Sequence, residues 1–270
     1  MTRTAAAISG AALAAALLGG CTDLARDDRR DSRIALPEAP RLDPFSRARP
    51  GDELPGGWRA WTLSRFKKPT DYALVADAGR TVVKAHADGS ASGLVHDINV
   101  DPREFPVLRW RWKVDRLIPG ADNTRGETED APVRIIVAFE GDRSKLDFDD
   151  RIFFTQVRML TGQEMPYATL MYIWENRAPI GTVIPSRHTS RVRMVVADSG
   201  RDRLGAWQQE ARNIREDYRR AFGEEAPMIK SISIMTDTDN TGEQVQAWYG
   251  DIAFERAAHA AVRESSATLD

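Results

Sequence analysis

Beyond residue 50 the chain is dominated by a two-residue alternation of apolar and polar positions. Leu108, Trp110, Trp112 and Val114 fall on one face of an extended segment, while Arg109, Arg111 and Lys113 fall on the other. Period two predicts a strand with one face buried. The same rule groups Val133, Ile135, Val137 and Phe139 opposite Arg134 and Glu140, and then Ala168, Leu170, Tyr172 and Trp174. Further strands are expected at 58–63, 72–76, 81–87, 152–159, 192–196, 229–235 and 245–254, the last with a break near Gly250. A different period runs through Trp207, Ala211, Ile214, Tyr218 and Phe222, which recur at spacings of three and four and end at Gly223. That segment predicts an amphipathic helix. Many short strands with Gly, Pro, Asp and Asn between them, and no regular strand–helix alternation, predict a mainly β fold. The expected form is an antiparallel β-sandwich, jelly-roll or galactose-binding-like, with one amphipathic covering helix.

The two ends of the chain follow other rules. Arg3, the apolar run 5–18 and the pair Gly19 and Gly20 lead to Cys21, the only cysteine. The run is too short to span a bilayer. This start resembles a bacterial lipoprotein signal, which implies removal of residues 1–20 and lipidation of Cys21, and Thr22 in place of Asp implies sorting to the outer membrane. The expected location is the cell envelope, with the domain on the periplasmic face of the outer membrane. Residues 21–50 contain Pro37, Pro40, Pro44 and Pro50 among charged residues and read as the lipidated cysteine with a flexible tether, reaching about 30 Å as a coil. Residues 51–256 are expected to form a single domain and 257–270 a loose tail.

Composition narrows the partners. Loss of residues 1–20 removes Arg3 alone and leaves a net charge of −3, without the basic excess that a nucleic-acid partner requires. With Cys21 committed to lipid, no thiol remains for a disulfide, so stability must come from the apolar core.

Three clusters could carry chemistry. Asp237, Asp239, Asn240 and Glu243 offer oxygen ligands from one turn, which raises a structural calcium as an alternative to a plain polar hairpin loop. An EF-hand is excluded, because Trp248 stands where its bidentate Glu is needed. Glu127, Glu129 and Asp130 precede Arg134, which suggests either a bidentate ligand contact or an internal ion pair. Asp147, Asp149 and Asp150 read as a solvated turn. Seven tryptophans raise sugar stacking. Trp110 and Trp112 share a face with Leu108 and Val114 and belong to the core, whereas Trp174 beside Glu175, and Trp248 beside Tyr249, are the ligand candidates. The sequence has no Gly-x-Ser-x-Gly, His-Glu-x-x-His or phosphate-loop motif, and no catalytic residue is assigned.

Several stretches carry a family resemblance: V-L-R-W-R-W-K-V at 107–114, D-A-P-V-R-I-I-V-A-F at 130–139, D-Y-R-R-A-F-G at 217–223, I-M-T-D-T-D-N-T-G at 234–242 and W-Y-G-D-I-A-F at 248–254. Together they resemble the bacterial family called domain of unknown function 3047, from about Leu54 onward. The likeness implies an exported protein and brings no activity. The strand at 249–252 also resembles the last strand of galactose-binding-like sandwiches, in which an acidic residue helps to bind calcium, so Asp251 joins the metal candidates. The leading expectation is a noncatalytic, membrane-anchored protein that binds a glycan or an envelope protein. The alternatives are a carboxylate-dependent hydrolase of envelope polysaccharide and a structural scaffold.

Overall fold

Strands with one apolar face leave two sheets to close on each other, and that is the arrangement in the computed structural model, which describes residues 40–257. The elements are β1 (Trp58–Thr62), β2 (Asp71–Asp77), β3 (Arg80–Asp88), β4 (Ala91–Val100), β5 (Val107–Val114), β6 (Ala131–Phe139), α1 (Phe148–Thr161), β7 (Ala168–Glu175), β8 (Val183–Pro185), β9 (Val192–Ser199), β10 (Gln208–Asn213), α2 (Ile214–Phe222), β11 (Ile229–Asp237), β12 (Gln244–Tyr249) and β13 (Ala253–Glu255). One sheet has the order β1-β4-β11-β6-β7-β9-β8; the other has the order β10-β5-β12-β3-β2, with β13 also on β5. All pairings are antiparallel except β7 with β9.

The alternating positions meet between the sheets. Leu108, Trp110, Trp112 and Val114 from β5 join Val133, Ile135, Val137 and Phe139 from β6 and Leu170, Tyr172 and Trp174 from β7 in one apolar cluster. Trp110 packs at 5.3 Å from Trp112 and 4.9 Å from Tyr172 between ring centroids. A hydroxyl crosses from one sheet to the other. Tyr249 of β12 donates to the Met235 carbonyl at 2.5 Å, lies 2.8 Å from the Thr236 hydroxyl, and accepts from the Arg134 backbone N–H at 3.4 Å.

Three local expectations are corrected. Residues 152–159 are helical, not extended: they lie in α1, which Asp147 caps by accepting from the Asp150 N–H at 2.8 Å. Asp149 and Asp150 occupy its first turn, where carboxylates favour the helix dipole, so this acidic patch is a helix start. Asp150 is itself buried and accepts from Thr189, the Ser190 N–H and the Ser190 hydroxyl. There are therefore two α-helices among the described residues, not one. The expected helix from Trp207 is half strand. Residues 208–213 pair with the edge of β5, and α2 begins only after Asn213, whose side chain accepts from the Glu216 N–H. Gly223 ends α2 in the left-handed conformation at φ 73°. Finally, packing begins before residue 51. Leu42 and Phe45 are buried, and the Phe45 ring lies 4.8 Å from Trp58, so the last part of the expected tether is bound to the sandwich. Cys21, the apolar run before it and the tail beyond residue 257 lie outside the described residues. No helix among the described residues is long and apolar enough to cross a membrane.

Candidate functional site

Two of the expected clusters converge at one end of the seven-stranded sheet. Arg134 on β6 lies beside Asp237 at the end of the neighbouring strand β11, and its Nε and Nη2 donate to the two Asp237 carboxylate oxygens at 2.8 and 3.0 Å. Nη2 also donates to the Glu129 carbonyl at 2.9 Å. The arginine is only 2% exposed. Burial opposes its charge most strongly, but Asp237, Glu129 and Asp130 together outweigh that penalty and hold the guanidinium above its usual pKa. Asp130 accepts from the Asn240 N–H at 3.3 Å and from the Thr241 N–H and hydroxyl at 2.8 and 2.7 Å, which pins the 238–243 turn to the start of β6.

The geometry of this centre bears on calcium. Asp130, Asp237 and Asp239 bring carboxylate oxygens within 4.8 Å of one another, whereas Glu243 and Asp251 are outside that group. The oxygens are already engaged. Asp237 is clamped by Arg134, Asp130 holds the turn and Asp239 pairs with Lys67. A divalent ion would have to displace two cations, so this donor set does not fit calcium without rearrangement. Asp251 serves elsewhere, accepting from the Ser46 N–H and hydroxyl at 2.9 and 2.6 Å.

The tryptophan candidates separate. Trp174 is fully buried and donates to the Gly200 carbonyl at 3.0 Å, which leaves no ring face for a ligand. Glu175 accepts from the Arg177 and Ala178 backbone N–H groups and shapes the turn after β7. Trp248 lies instead on the outer face of the six-stranded sheet. Strand register places it directly between Lys84 on β3 and Lys113 on β5. Its ring lies 5.5 Å from the Lys84 Nζ and 4.3 Å from the Lys113 Nζ. Trp207, just before β10, continues the row: Lys113 Nζ is 5.4 Å from its ring and the Arg111 guanidinium 4.5 Å. Asp77 fixes that end by accepting from Trp207 Nε1 at 2.7 Å and Lys113 Nζ at 2.5 Å. The result is a row of cations and indoles across three strands and the residue before β10, with both rings partly exposed. The break at Gly250 belongs to it. A Cβ there would meet the Arg111 side chain at 2.3 to 2.8 Å, so only glycine lets Arg111 lie flat on the sheet.

A carboxyl pair was not foreseen. The β7–β9 register shifts at Trp174, and Asp198 turns inward, where it accepts from Trp112 Nε1 at 2.8 Å and Arg203 at 3.0 Å. Glu210, opposite Trp110 on β10, is hydrogen-bonded to it, and burial together with the Asp198 charge pushes the Glu210 pKa up to about 8. Sequence alternation within 208–212 was the available signal, but the competing helical period through Trp207 and Ala211 hid it. The same misreading placed Trp207 on a helix face and concealed its place beside Lys113.

Several solved structures align with the chain at low identity and low TM-score. The family 12 xyloglucanase from Bacillus licheniformis aligns over 77% of this chain and 97% of its own, with 7% identity and a TM-score of 0.41. The β-1,2-glucanase from Parabacteroides distasonis aligns over 74% of this chain and 23% of its own, at 11% identity and a TM-score of 0.33. For the glycoside hydrolase domain of Endo-D from Streptococcus pneumoniae R6 the figures are 73%, 21%, 9% and 0.33, so this chain spans about a fifth of that one. No curated protein matches the chain in sequence. Residues 56–253, which include the Arg134 centre and the Trp248 row, match a family whose members are described as protein of unknown function, and the chain belongs to that family, DUF3047.

Proposed function

We propose that this chain is a noncatalytic, lipid-anchored envelope protein that binds a glycan on the outer face of its six-stranded sheet. The observation that carries the reading is the Trp248–Trp207 row. Two partly exposed indoles stand on one flat face with Lys113 between them, held by strand register on one side and by Asp77 on the other. Indole faces take the C–H faces of sugars while neighbouring polar groups take the hydroxyls. The Arg134 centre supports the sandwich from the opposite sheet, and Cys21 supplies the anchor.

The hydrolase alternative fits less well. Asp198 is fully buried and already accepts from Trp112 Nε1 and Arg203, whereas glycosidases hold two carboxyls about 5 to 9.5 Å apart with room between them for the sugar carbon or a water. A glycan array with the full chain tests the binding reading. Trp248→Ala is expected to weaken binding about tenfold, since an aromatic contact contributes roughly 0.5–1.5 kcal/mol beyond its buried area. An unchanged affinity, or turnover of polysaccharide abolished by Glu210→Gln, refutes it.

A further inference from the structure

The charges around the indole row identify the kind of sugar, if the row is the binding surface proposed above. Arg80, Lys84, Arg111 and Lys113 have outward positions on β3 and β5. The carboxylates that act on Arg111 are both engaged: Asp77 by Lys113 and Trp207, and Asp251 by Ser46. Arg111 is the exceptional member. Its Nη2 is buried and has no hydrogen-bond partner. Burial and the like charge of Arg80 both push its pKa down. The surrounding protein thus holds a guanidinium against Gly250 and under the Trp207 ring, with Asp251 and Asp77 acting on it at a distance and no ion pair among the described residues. The residue as a whole is partly exposed, and with no such pair the guanidinium is open to pairing with an external anion.

We propose that the ligand is an acidic glycan, whose sugar rings stack on Trp248 and Trp207 while its carboxylates are met by Arg111, Lys113 and Lys84. Planar carboxylates suit the fork of Arg111, and the lysines serve as point charges along the row. Lys84 and Lys113 flank the Trp248 ring, so charged groups on successive sugars find a cation on either side of one stacking platform.

The test compares polygalacturonate with its fully methyl-esterified form, using the detergent-solubilised full chain. The backbone is the same and only the charge differs. Expected are binding of the acid form at least tenfold tighter than the ester, a loss of that preference in high salt, and a change in tryptophan fluorescence on binding. Lys84→Gln and Arg111→Gln should each reduce the preference, whereas Trp248→Ala should weaken both forms, with melting temperatures showing that each variant is folded. Equal affinity for the two forms overturns the charge inference and leaves the glycan reading standing. Binding to neither form, with neutral glycans bound on the array, likewise overturns it alone. Binding to no glycan at all overturns both.

Discussion

Single residues in this fold separate into those whose roles follow from their neighbours in sequence and those whose roles follow from the sheet. Arg134 belongs to both groups: the chain places it opposite an apolar face, but only the pairing of β6 with β11 brings it to Asp237. Arg134→Ala leaves a buried carboxylate unpaired and is expected to cost about 3–5 kcal/mol, measurable by urea unfolding. Because the Asp237 turn is already balanced by Arg134 and Lys67, adding calcium or a chelator should leave the melting temperature unchanged. Glu210 makes a pH-dependent prediction. Its folded pKa of about 8 exceeds the ordinary value of 4.5, so the folded protein keeps a proton that the unfolded chain has released. Stability is therefore undiminished below pH 4.5 and falls as pH rises toward 8. Melting curves from pH 4 to 9 should show Glu210→Gln gaining on the parent protein across that window. The alternation in β5 discloses the inward Trp110 and Trp112, while Trp174, expected at a ligand, is buried with the apolar face of β7. Nothing local discloses Asp198, because a bulge rather than its position in the sequence turns it inward.

Elements were legible where a single period ruled and illegible where two competed. β5, β6 and β7 have clean alternation and large inward residues, and each lies where the pattern put it. α1 was read as a strand because Ile152, Phe153, Phe154 and Val157 favour extended structure when taken alone. Its capping aspartate decides otherwise, and Asp147→Ala should remove about 1 kcal/mol. Helicity of the 148–161 segment, followed by hydrogen exchange, is the direct readout, with the amides near Asp150 losing protection first. In the 207–222 stretch the boundary is Asn213, which completes the ladder with Val107 and caps α2. A cap in the middle of a continuous apolar period was the missed signal. β4 was missed for another reason: Ser92, Gly93, His96 and Asp97 interrupt its pattern, although it is paired on both sides.

For the whole molecule, strands with one apolar face specified a sandwich from the sequence alone, whereas the Trp248–Trp207 row did not announce itself. That row runs across the strands, and the sequence records only what runs along them. Lys84, Lys113, Trp207 and Trp248 become neighbours through pairing of β3, β12, β5 and β10. In the proposed setting Cys21 holds this assembly to a membrane. Cys21→Ser should abolish labelling by radioactive palmitate and release the protein from the membrane fraction; retained labelling refutes the anchor. A protein fixed to lipid at one end and to a polymer at the other is under mechanical load, and Tyr249 then acquires a second meaning. It follows Trp248 directly on β12, and its hydroxyl is bonded to Met235, Thr236 and Arg134 on the facing sheet. Tension on the proposed binding face would be carried to the facing sheet by that phenol together with the Trp112–Asp198 bond and the apolar core, as a shear between the layers. Tyr249→Phe should therefore lower the force at which the sandwich opens under tension while leaving glycan affinity at rest unaltered.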